Sequence, residues 1–433
     1  MHYPASDLVI DPVLIRKYDV GGPRYTSYPT ADRFIEALGE TDLQQCLARR
    51  DVGGISQPLS LYVHLPFGHD RGQSAKYIKY LEKELALLAP HLAGSRAIHE
   101  MRWAGTPNFS GDEMAALVHA VESHLERAPR AQYSIEIDPR HAEPGRMTLL
   151  ADLGFDRVSI GAQSAEATER VMAEARACGF RSVNLDLVYG LPKQTLDRFQ
   201  RTLDEVLRLA PDRIALYSYA HLPSLFKPQR RIAPAELPSA ELKLQLLTLA
   251  VGRLTRAGYL YIGMEHFALP GDELAAAQSR GQLTRSFQGY STQSGDVLAL
   301  GVSSIGQIGA AYYQNCQDLE RYYAALDAGR LPVLRGLALT ADDLVRRAVI
   351  QALMCNFRLS IEAIELAYLI DFRAYFAAEL AELRRLADDG LVELGADWIS
   401  VTPQGRLLVR AICMPFDRYL REARARAGYA RVI

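Results

Sequence analysis

The chain has few cysteines, and none of them lies close to another in sequence. Its 433 residues contain five, at Cys46, Cys178, Cys316, Cys355 and Cys413. Because no two form a CxxC or similar cluster, their spacing gives neither a zinc nor an iron–sulfur signature. We therefore predict no metal ligands, and we interpret the five as small buried hydrophobic residues.

Strong charge and long apolar runs are also absent. A formal net charge of −2 gives no reason to expect a nucleic-acid surface or a polybasic membrane anchor. The first ten residues do not resemble a signal peptide, and no later window offers about 18 uncharged apolar residues. We expect a cytoplasmic monomer that acts on a small molecule. The chain has no Gly-x-Ser-x-Gly elbow, Walker loop or HExxH run, which disfavours hydrolase, phosphotransferase and metalloprotease functions.

The middle of the chain alternates short β-rich runs with amphipathic segments. This rhythm is typical of a parallel sheet covered by helices. It predicts strands at 59–67, 97–103, 132–137, 156–160, 182–187 and 213–219, and helices at 76–92, 113–126, 145–153, 167–178 and 196–209. Six such units favour a partial (β/α)6 barrel, with a doubly wound sheet as the alternative.

Polar residues follow several of these strands, where such folds keep their sites. Gly105 and Thr106 can present backbone donors, while Glu136, Gln163 and Asp186 offer acceptors suited to a ribose diol or an α-amino group. The alternative is structural, because acidic residues at strand ends also cap helices and satisfy loop amides.

A first strand followed by His69 and Asp70 superficially suggests a metal site that includes His64. No third or fourth ligand appears at a useful spacing. A histidine on a strand making one hydrogen bond is the better interpretation.

Two flanking regions complete the predicted organisation. Residues 1–58 form an N-terminal strap, residues 59–330 the barrel, and residues 331–433 a mostly helical C-terminal domain. Helices at 341–355, 360–368 and 372–389, followed by a hairpin within 389–401, suggest a winged-helix-like fold. Acidic residues in the presumed wing disfavour DNA binding.

Motifs along nearly the entire chain resemble one family, the oxygen-independent coproporphyrinogen III oxidases. These are radical S-adenosylmethionine (SAM) enzymes of haem biosynthesis. The matching stretches are 17–19, 22–31, 61–64, 134–139, 189–195, 219–223, 263–268, 287–290, 355–358 and 406–433. The resemblance implies a partial barrel of the radical SAM type, a tetrapyrrole substrate, SAM and a [4Fe–4S] cluster held by a CxxxCxxC loop.

The resemblance also implies roles for individual residues. Those expected around the first SAM are Tyr62, Gly105, Thr106, Glu136, Gln163 and Asp186. Gln288 or Gln293, with Ile305, would lie at a second ligand site. In the family, two propionates of coproporphyrinogen III are oxidatively decarboxylated to vinyl groups.

The chain departs from the family at three places in this one site. The family's Pro-Phe-Cys is Pro66-Phe67-Gly68, and the cysteine-bearing loop that should follow is missing. The glycine-rich loop is shortened to residues 104–107, and the connection after Gln163 is contracted. A cluster cannot form without thiolate ligands.

We therefore predict a catalytically impaired family member that keeps tetrapyrrole or SAM binding. Whether its missing loops reflect natural divergence or engineering stays open, as does an active enzyme whose cluster is assembled otherwise. A second hypothesis is a haem or porphyrin carrier or sensor. Its candidate propionate ligands are Arg24, Lys227, Arg230 and Arg231, because guanidinium groups pair well with carboxylates. A third hypothesis is a structural relic with no ligand.

Overall fold

The computed structural model describes residues 8–50, 57–66, 71–105, 108–162, 164–224 and 226–423. These residues form 17 strands and 16 α-helices. The strands are β1 (Leu59–His64), β2 (Ala97–Ala104), β3 (Glu126–Ile137), β4 (Arg157–Gly161), β5 (Ser182–Tyr189), β6 (Arg213–Ser218), β7 (Leu260–Gly263), β8 (His266–Ala268), β9 (Thr284–Ser286), β10 (Gly289–Ser291), β11 (Asp296–Leu300), β12 (Ile305–Ile308), β13 (Ala311–Asn315), β14 (Val333–Ala338), β15 (Arg358–Ser360), β16 (Val392–Leu394) and β17 (Trp398–Val401).

The helices pack around and beyond these strands. They are α1 (Pro12–Tyr18), α2 (Glu40–Ala48), α3 (Arg71–Leu88), α4 (Gly111–Glu122), α5 (Arg146–Asp152), α6 (Ala165–Ala177), α7 (Leu196–Leu209), α8 (Ala240–Arg256), α9 (Glu273–Ser279), α10 (Leu319–Asp327), α11 (Ala341–Asn356), α12 (Ile361–Tyr368), α13 (Phe372–Tyr375), α14 (Ala377–Asp388), α15 (Val409–Cys413) and α16 (Arg418–Ala423). Within the described ranges no helix is long and apolar enough to cross a bilayer.

Six parallel strands in chain order build the centre of a 12-stranded sheet. β1 to β6 pair successively, each parallel to the next. This order confirms the partial barrel over the doubly wound alternative, because a doubly wound sheet reverses its strand order at a switch point. β11 extends the sheet parallel to β1 and leads into antiparallel β12, β13 and β14, while β8 and β7 close the other edge.

Alternating burial along β1 gives the sheet its two faces. Leu59, Leu61 and Val63 are at most 1 % exposed and belong to the hydrophobic core. The intervening Ser60 and Tyr62 border a cavity on the opposite face. A period of two residues therefore separates the packing surface from the surface available to a ligand.

The predicted barrel elements are confirmed, with ends that differ by a few residues in most cases. α4 begins at Gly111 because Ser110 and Glu113 form a reciprocal capping box there. β3 begins at Glu126, earlier than the predicted start at residue 132.

The C-terminal region contains the predicted helices and hairpin, with two differences. The predicted helix at 372–389 is divided into α13 and α14 at Phe376, whose buried ring packs on Phe372 and Phe416. The hairpin of β16 and β17 gains a third strand, β15, that pairs with β17. β14 still belongs to the large sheet, so the sheet ends at Ala338, after the predicted boundary at residue 330.

The N-terminal segment, predicted as a strap on the barrel, contacts both the large sheet and the C-terminal region. Tyr25 and Tyr28 are each 2 % exposed. The Tyr25 hydroxyl donates to Asp417 Oδ2 at 3.0 Å, and the hydroxyl of Tyr312 on β13 donates to the Tyr28 carbonyl at 2.8 Å. The strap thereby joins two units that lie far apart in sequence.

A buried ion pair links Arg50, which follows α2, to Asp296 at the start of β11, and its contribution to stability can be tested. Arg50 Nε donates to Asp296 Oδ2 at 2.7 Å, and the two side chains are 1 % and 4 % exposed. We expect Arg50→Met to lower the free energy of unfolding by about 3–5 kcal/mol, because it leaves a buried carboxylate without its cation. Urea denaturation measures this.

The matched control is Lys83→Met, which removes the cation of the exposed Lys83–Asp327 pair. We expect this variant to unfold at the wild-type urea concentration, because exposed pairs add little stability. Equal losses in the two variants would contradict the importance assigned to the Arg50–Asp296 pair.

Candidate active site at the strand ends

A hairpin formed by β9 and β10 lies against β2 and borders two cavities. Arg102 on β2 donates to the Gln288 carbonyl, and the Ser291 hydroxyl donates to Glu100 Oε1 at 2.7 Å. One cavity, of about 330 Å³, is bordered by Glu136 and Asp186, and we call it the strand-end cavity. The other, of about 440 Å³, is bordered by residues of α11, and we call it the α11 cavity.

Glu136 and Asp186, two of the predicted site residues, both border the strand-end cavity, together with Glu100, Glu265 and Glu273. Asp186 on β5 accepts hydrogen bonds from Asn184 Nδ2 at 2.8 Å and from the Ser159 hydroxyl at 3.2 Å. Burial, with the nearby charge of Glu136, raises the pKa of Asp186 to about 6. A ligand cation or hydroxyl donor beside these carboxylates would favour their ionised form.

Glycine at position 105 lets the loop after β2 approach this pair. Its φ is +109°, and a Cβ there would lie 2.2 Å from the Leu65 carbonyl oxygen. The Gly105 amide donates to Glu136 Oε2 at 3.0 Å. Only glycine fits here, and its amide fixes one oxygen of the predicted ligand-binding carboxylate.

Tyr62 on β1 borders the α11 cavity. Arg102 on the neighbouring strand β2 separates it from Glu136 on β3. Burial raises the pKa of Tyr62 to about 12. Its hydroxyl lies 3.4 Å from His64 Nδ1, and burial lowers the pKa of His64. This contact with Tyr62 is consistent with a structural role for His64, whereas His69 and Asp70 lie outside the described residues. Among the residues that the structure describes, no group of three or more His, Cys, Asp or Glu could hold a metal ion.

The remaining predicted residues are placed as follows. Arg24 borders the strand-end cavity and pairs with Glu265 at 3.3 Å. Gln288 borders both cavities and donates to the Ile305 carbonyl, and Gln293 borders the α11 cavity. Thr106 and Gln163 lie outside the described residues.

Lys227, Arg230 and Arg231, predicted as propionate ligands, border neither of these two cavities. They belong to a 3-10 helix, Lys227–Arg231, that follows β6. Arg230 Nε donates to the Pro223 carbonyl at 3.0 Å, so this guanidinium supports its own turn.

A network of ion pairs that borders the strand-end cavity was not predicted from the sequence. Arg157 on β4 and Arg213 on β6 both bond Glu273, at 2.6 and 2.9 Å. Arg213 also bonds Asp272, which caps α9. The arginines on two predicted strands were visible in the sequence. Their acidic partners, Asp272 and Glu273, lie in a distant segment, so the pairing could not be predicted.

His266 on β8 lies in the stretch 263–268 that matches the family, but the sequence assigned it no role of its own. It borders the strand-end cavity, and burial, with the charge of Arg285, lowers its pKa to about 3. Its Nδ1 lies 2.6 Å from the Met264 carbonyl. His266 is therefore neutral and, with that contact, a donor at Nδ1.

The raised pKa of Asp186 predicts a pH-dependent stability. Between about pH 4 and pH 6 the folded protein retains a proton that the unfolded chain releases, so stability falls as the pH rises through this window. We expect Asp186→Asn to be more stable than wild type by about 2 kcal/mol near pH 7.5, and by little near pH 4. Thermal or urea unfolding at both pH values measures the difference.

Asp327→Asn is the control with the opposite sign. The hydrogen bond from Lys83 lowers the pKa of the exposed Asp327 carboxyl. Its ionised form contributes stability at neutral pH that is lost as the pH falls through the lowered pKa. A gain for Asp186→Asn that is equal at both pH values would show that burial of its charge is not the cause.

Comparisons with known proteins identify the family. A family model described as the HemN C-terminal domain matches residues 339–408. Oxygen-independent coproporphyrinogen III oxidase from Pseudomonas aeruginosa is 47% identical over 456 positions, covering 98% of both chains. The enzyme of the same name from Salmonella typhimurium is 43% identical, again covering 98% of both chains.

A solved structure agrees with this assignment. Coproporphyrinogen III oxidase (HemN) from Escherichia coli, described as a radical SAM enzyme, superposes with a TM-score of 0.90. It is 41% identical and covers 96% of this chain and 100% of its own. The chain belongs to the oxygen-independent coproporphyrinogen III oxidase (HemN) family, within the radical SAM superfamily.

Proposed function

We propose that this chain is a catalytically impaired family member, which keeps the binding scaffold for a tetrapyrrole and SAM but does not carry out the radical reaction. One observation carries the proposal. The connection between β1 and α3 contains no cysteine, and the sequence has none anywhere between Cys46 and Cys178. The family places its cluster ligands in this connection.

The donors that are present do not fit a [4Fe–4S] cluster. Cys46 lies on α2, Cys355 on α11 and Cys413 on α15, while Cys178 follows α6 and Cys316 follows β13. Cys316, Cys355 and Cys413 are buried. A cluster needs several thiolates in one place, and these five are distributed over separate elements. Protein side chains can position a cofactor but cannot supply its redox chemistry.

The length of the alignment supports a deletion. The Pseudomonas aeruginosa relative aligns over 456 positions, more than the 433 residues of this chain. That relative therefore carries positions that this chain lacks. We place part of the loss between β1 and α3, where only six residues separate His64 from Arg71.

The retained chemistry at the strand ends suits recognition of a polar ligand. Glu136, fixed by the Gly105 amide, and Asp186 can accept hydrogen bonds from an α-amino group or a ribose diol. The relatives are named for coproporphyrinogen III, and we propose that class of tetrapyrrole as the second ligand. Arg24, whose side chain is 54% exposed beside this cavity, can reach a propionate.

Iron content tests the loss of the cluster. After anaerobic reconstitution we expect no stoichiometric iron or sulfide and no 5′-deoxyadenosine from SAM, because the thiolate ligands are missing. The Pseudomonas aeruginosa relative, reconstituted in parallel, is the positive control. A cluster that cleaves SAM in this chain would overturn the proposal and establish an active enzyme.

A carrier or sensor of haem or porphyrin is the second candidate, favoured by the exposed Arg24 guanidinium. Titration with haem, followed by absorbance, separates it from the first. Saturable binding that Arg24→Gln weakens would support the carrier, whereas absence of saturable haem binding would reject it. We expect Lys227→Gln to bind as wild type does, since Lys227 borders neither cavity.

A further inference from the structure

Two arginines that border the α11 cavity bond no carboxylate among the residues that the structure describes. Arg285 borders both cavities, and its Nε and Nη1 are buried without a hydrogen-bond partner in the described ranges. Within the same ranges the Arg347 side chain makes one hydrogen bond, from Nη1 to the Tyr312 hydroxyl at 3.4 Å. A buried guanidinium without an anion is costly, so it calls for an explanation.

Other arginines near the two cavities are already compensated. Arg24 pairs with Glu265, Arg157 and Arg213 pair with Glu273, and Arg102 donates to backbone carbonyls of the β9–β10 hairpin. Arg102, Arg157 and Arg213 thereby hold the fold together, whereas Arg24 stays 54% exposed beside Glu265. Arg285 and Arg347 differ from Arg24, Arg157 and Arg213 because, in the part of the chain that the structure describes, no carboxylate bonds either side chain.

The acids on the α11 cavity are also engaged elsewhere. Asp296 bonds Arg50, and Glu100 accepts from the Ser291 hydroxyl. Burial raises the pKa of Glu100. The cavity therefore has an excess of positive charge that an anionic ligand would neutralise.

The two arginines belong to one wall. Gln351 lies one helical turn after Arg347 on α11, and its Nε2 donates to the Arg285 carbonyl at 3.1 Å. Residues three or four apart on a helix are neighbours on its surface. The Arg285 guanidinium lies 4.9 Å from the ring centroid of Tyr290, which orients it without using its hydrogen-bond donors.

Apolar side chains supply the rest of the wall. Leu344, Ile350 and Met354 of α11 border the cavity beside Tyr290. A surface of this kind accepts a flat hydrophobic ring, while paired guanidinium groups accept carboxylates at its edge.

We propose that the α11 cavity binds the propionate edge of the tetrapyrrole through Arg285 and Arg347. The proposal rests on the proposed function and adds Arg285 and Arg347 to Gln288 and Gln293, two predicted substrate-binding residues that border the same cavity. It also assigns a role to the C-terminal domain, because α11 lies within the segment matched as that domain and provides Arg347.

Fluorescence titration with coproporphyrin III and with its tetramethyl ester tests the proposal. The free acid and the ester share a macrocycle and differ in negative charge. We expect wild type to prefer the free acid. Arg285→Gln and Arg347→Gln should each weaken acid binding about tenfold and leave ester binding unchanged, because each variant removes charged hydrogen-bond donors to a carboxylate. Arg321→Gln, at an exposed position on α10, is the matched control.

Stability of the free protein gives an independent measurement. A buried guanidinium without an anion destabilises the ligand-free protein, because its desolvation is not offset by an ion pair. If Arg285 serves ligand binding, Arg285→Gln should therefore raise the midpoint of thermal unfolding. An arginine needed for the fold would lower it. Arg285→Lys and Arg347→Lys keep the charge and should restore part of the acid preference, which excludes misfolding as the cause of weakened binding.

The other outcomes distinguish a failure of this inference from a failure of the proposed function. If wild type binds neither porphyrin, the proposed function falls. If wild type binds both equally, or if the glutamine variants keep the acid preference, this inference is wrong while the proposed function stands. If the variants lose affinity for SAM and not for coproporphyrin III, the site takes the amino-acid carboxylate of SAM, and the inference is likewise overturned.

Discussion

The fold depends on how closely two loops approach the end of β1. On one side Gly105 lies over the Leu65 carbonyl, and Leu65 N donates to the Ala104 carbonyl at 2.8 Å. On the other side, a Cβ on Gly301 would lie 2.8 Å from the His64 carbonyl oxygen. The Tyr77 hydroxyl donates to that carbonyl and accepts from the Val302 amide. β1 is thereby held between β2 and β11 at the point where the chain leaves the sheet.

Charge pairing separates the structural part of the site from the part available to ligands. Along one part of the strand-end cavity, Arg157 and Arg213 both pair with Glu273, so their positive charges are neutralised and link β4 and β6 to α9. Asp186, by contrast, accepts hydrogen bonds from neutral donors, and Arg285 lies against an aromatic ring. Each can therefore still pair with a ligand group of opposite charge. An uncompensated buried charge destabilises the free protein, and a ligand of opposite charge removes that cost.

Sequence reasoning found what local periodicity encodes and missed what depends on distant contacts. The alternation of β-rich runs with amphipathic segments located the six strands, and the polar residues chosen at the ends of those strands included Glu136 and Asp186. The basic run at 227–231 was attractive as a cluster of charges, yet a local turn uses Arg230 and keeps the run away from both cavities. Arg285 drew no attention, because its importance arises from the absence of an acid around it. That absence becomes visible only when β9, β10 and α11 are brought together.

The same reasoning applies to the proposed loss of the cluster-binding loop, which the fold tolerates. The ladder that holds β1 to β2 and β11 involves residues 59–64, and the capped and buried helices pack on the other face. A loop that leaves the sheet after His64 contributes none of these pairings. Shortening such a connection changes the entropy of loop closure only slightly, whereas removing thiolates removes the whole of the cluster's binding energy. Stability and catalysis therefore depend on different residues here, and the proposed loss of the second leaves the buried contacts of the first intact.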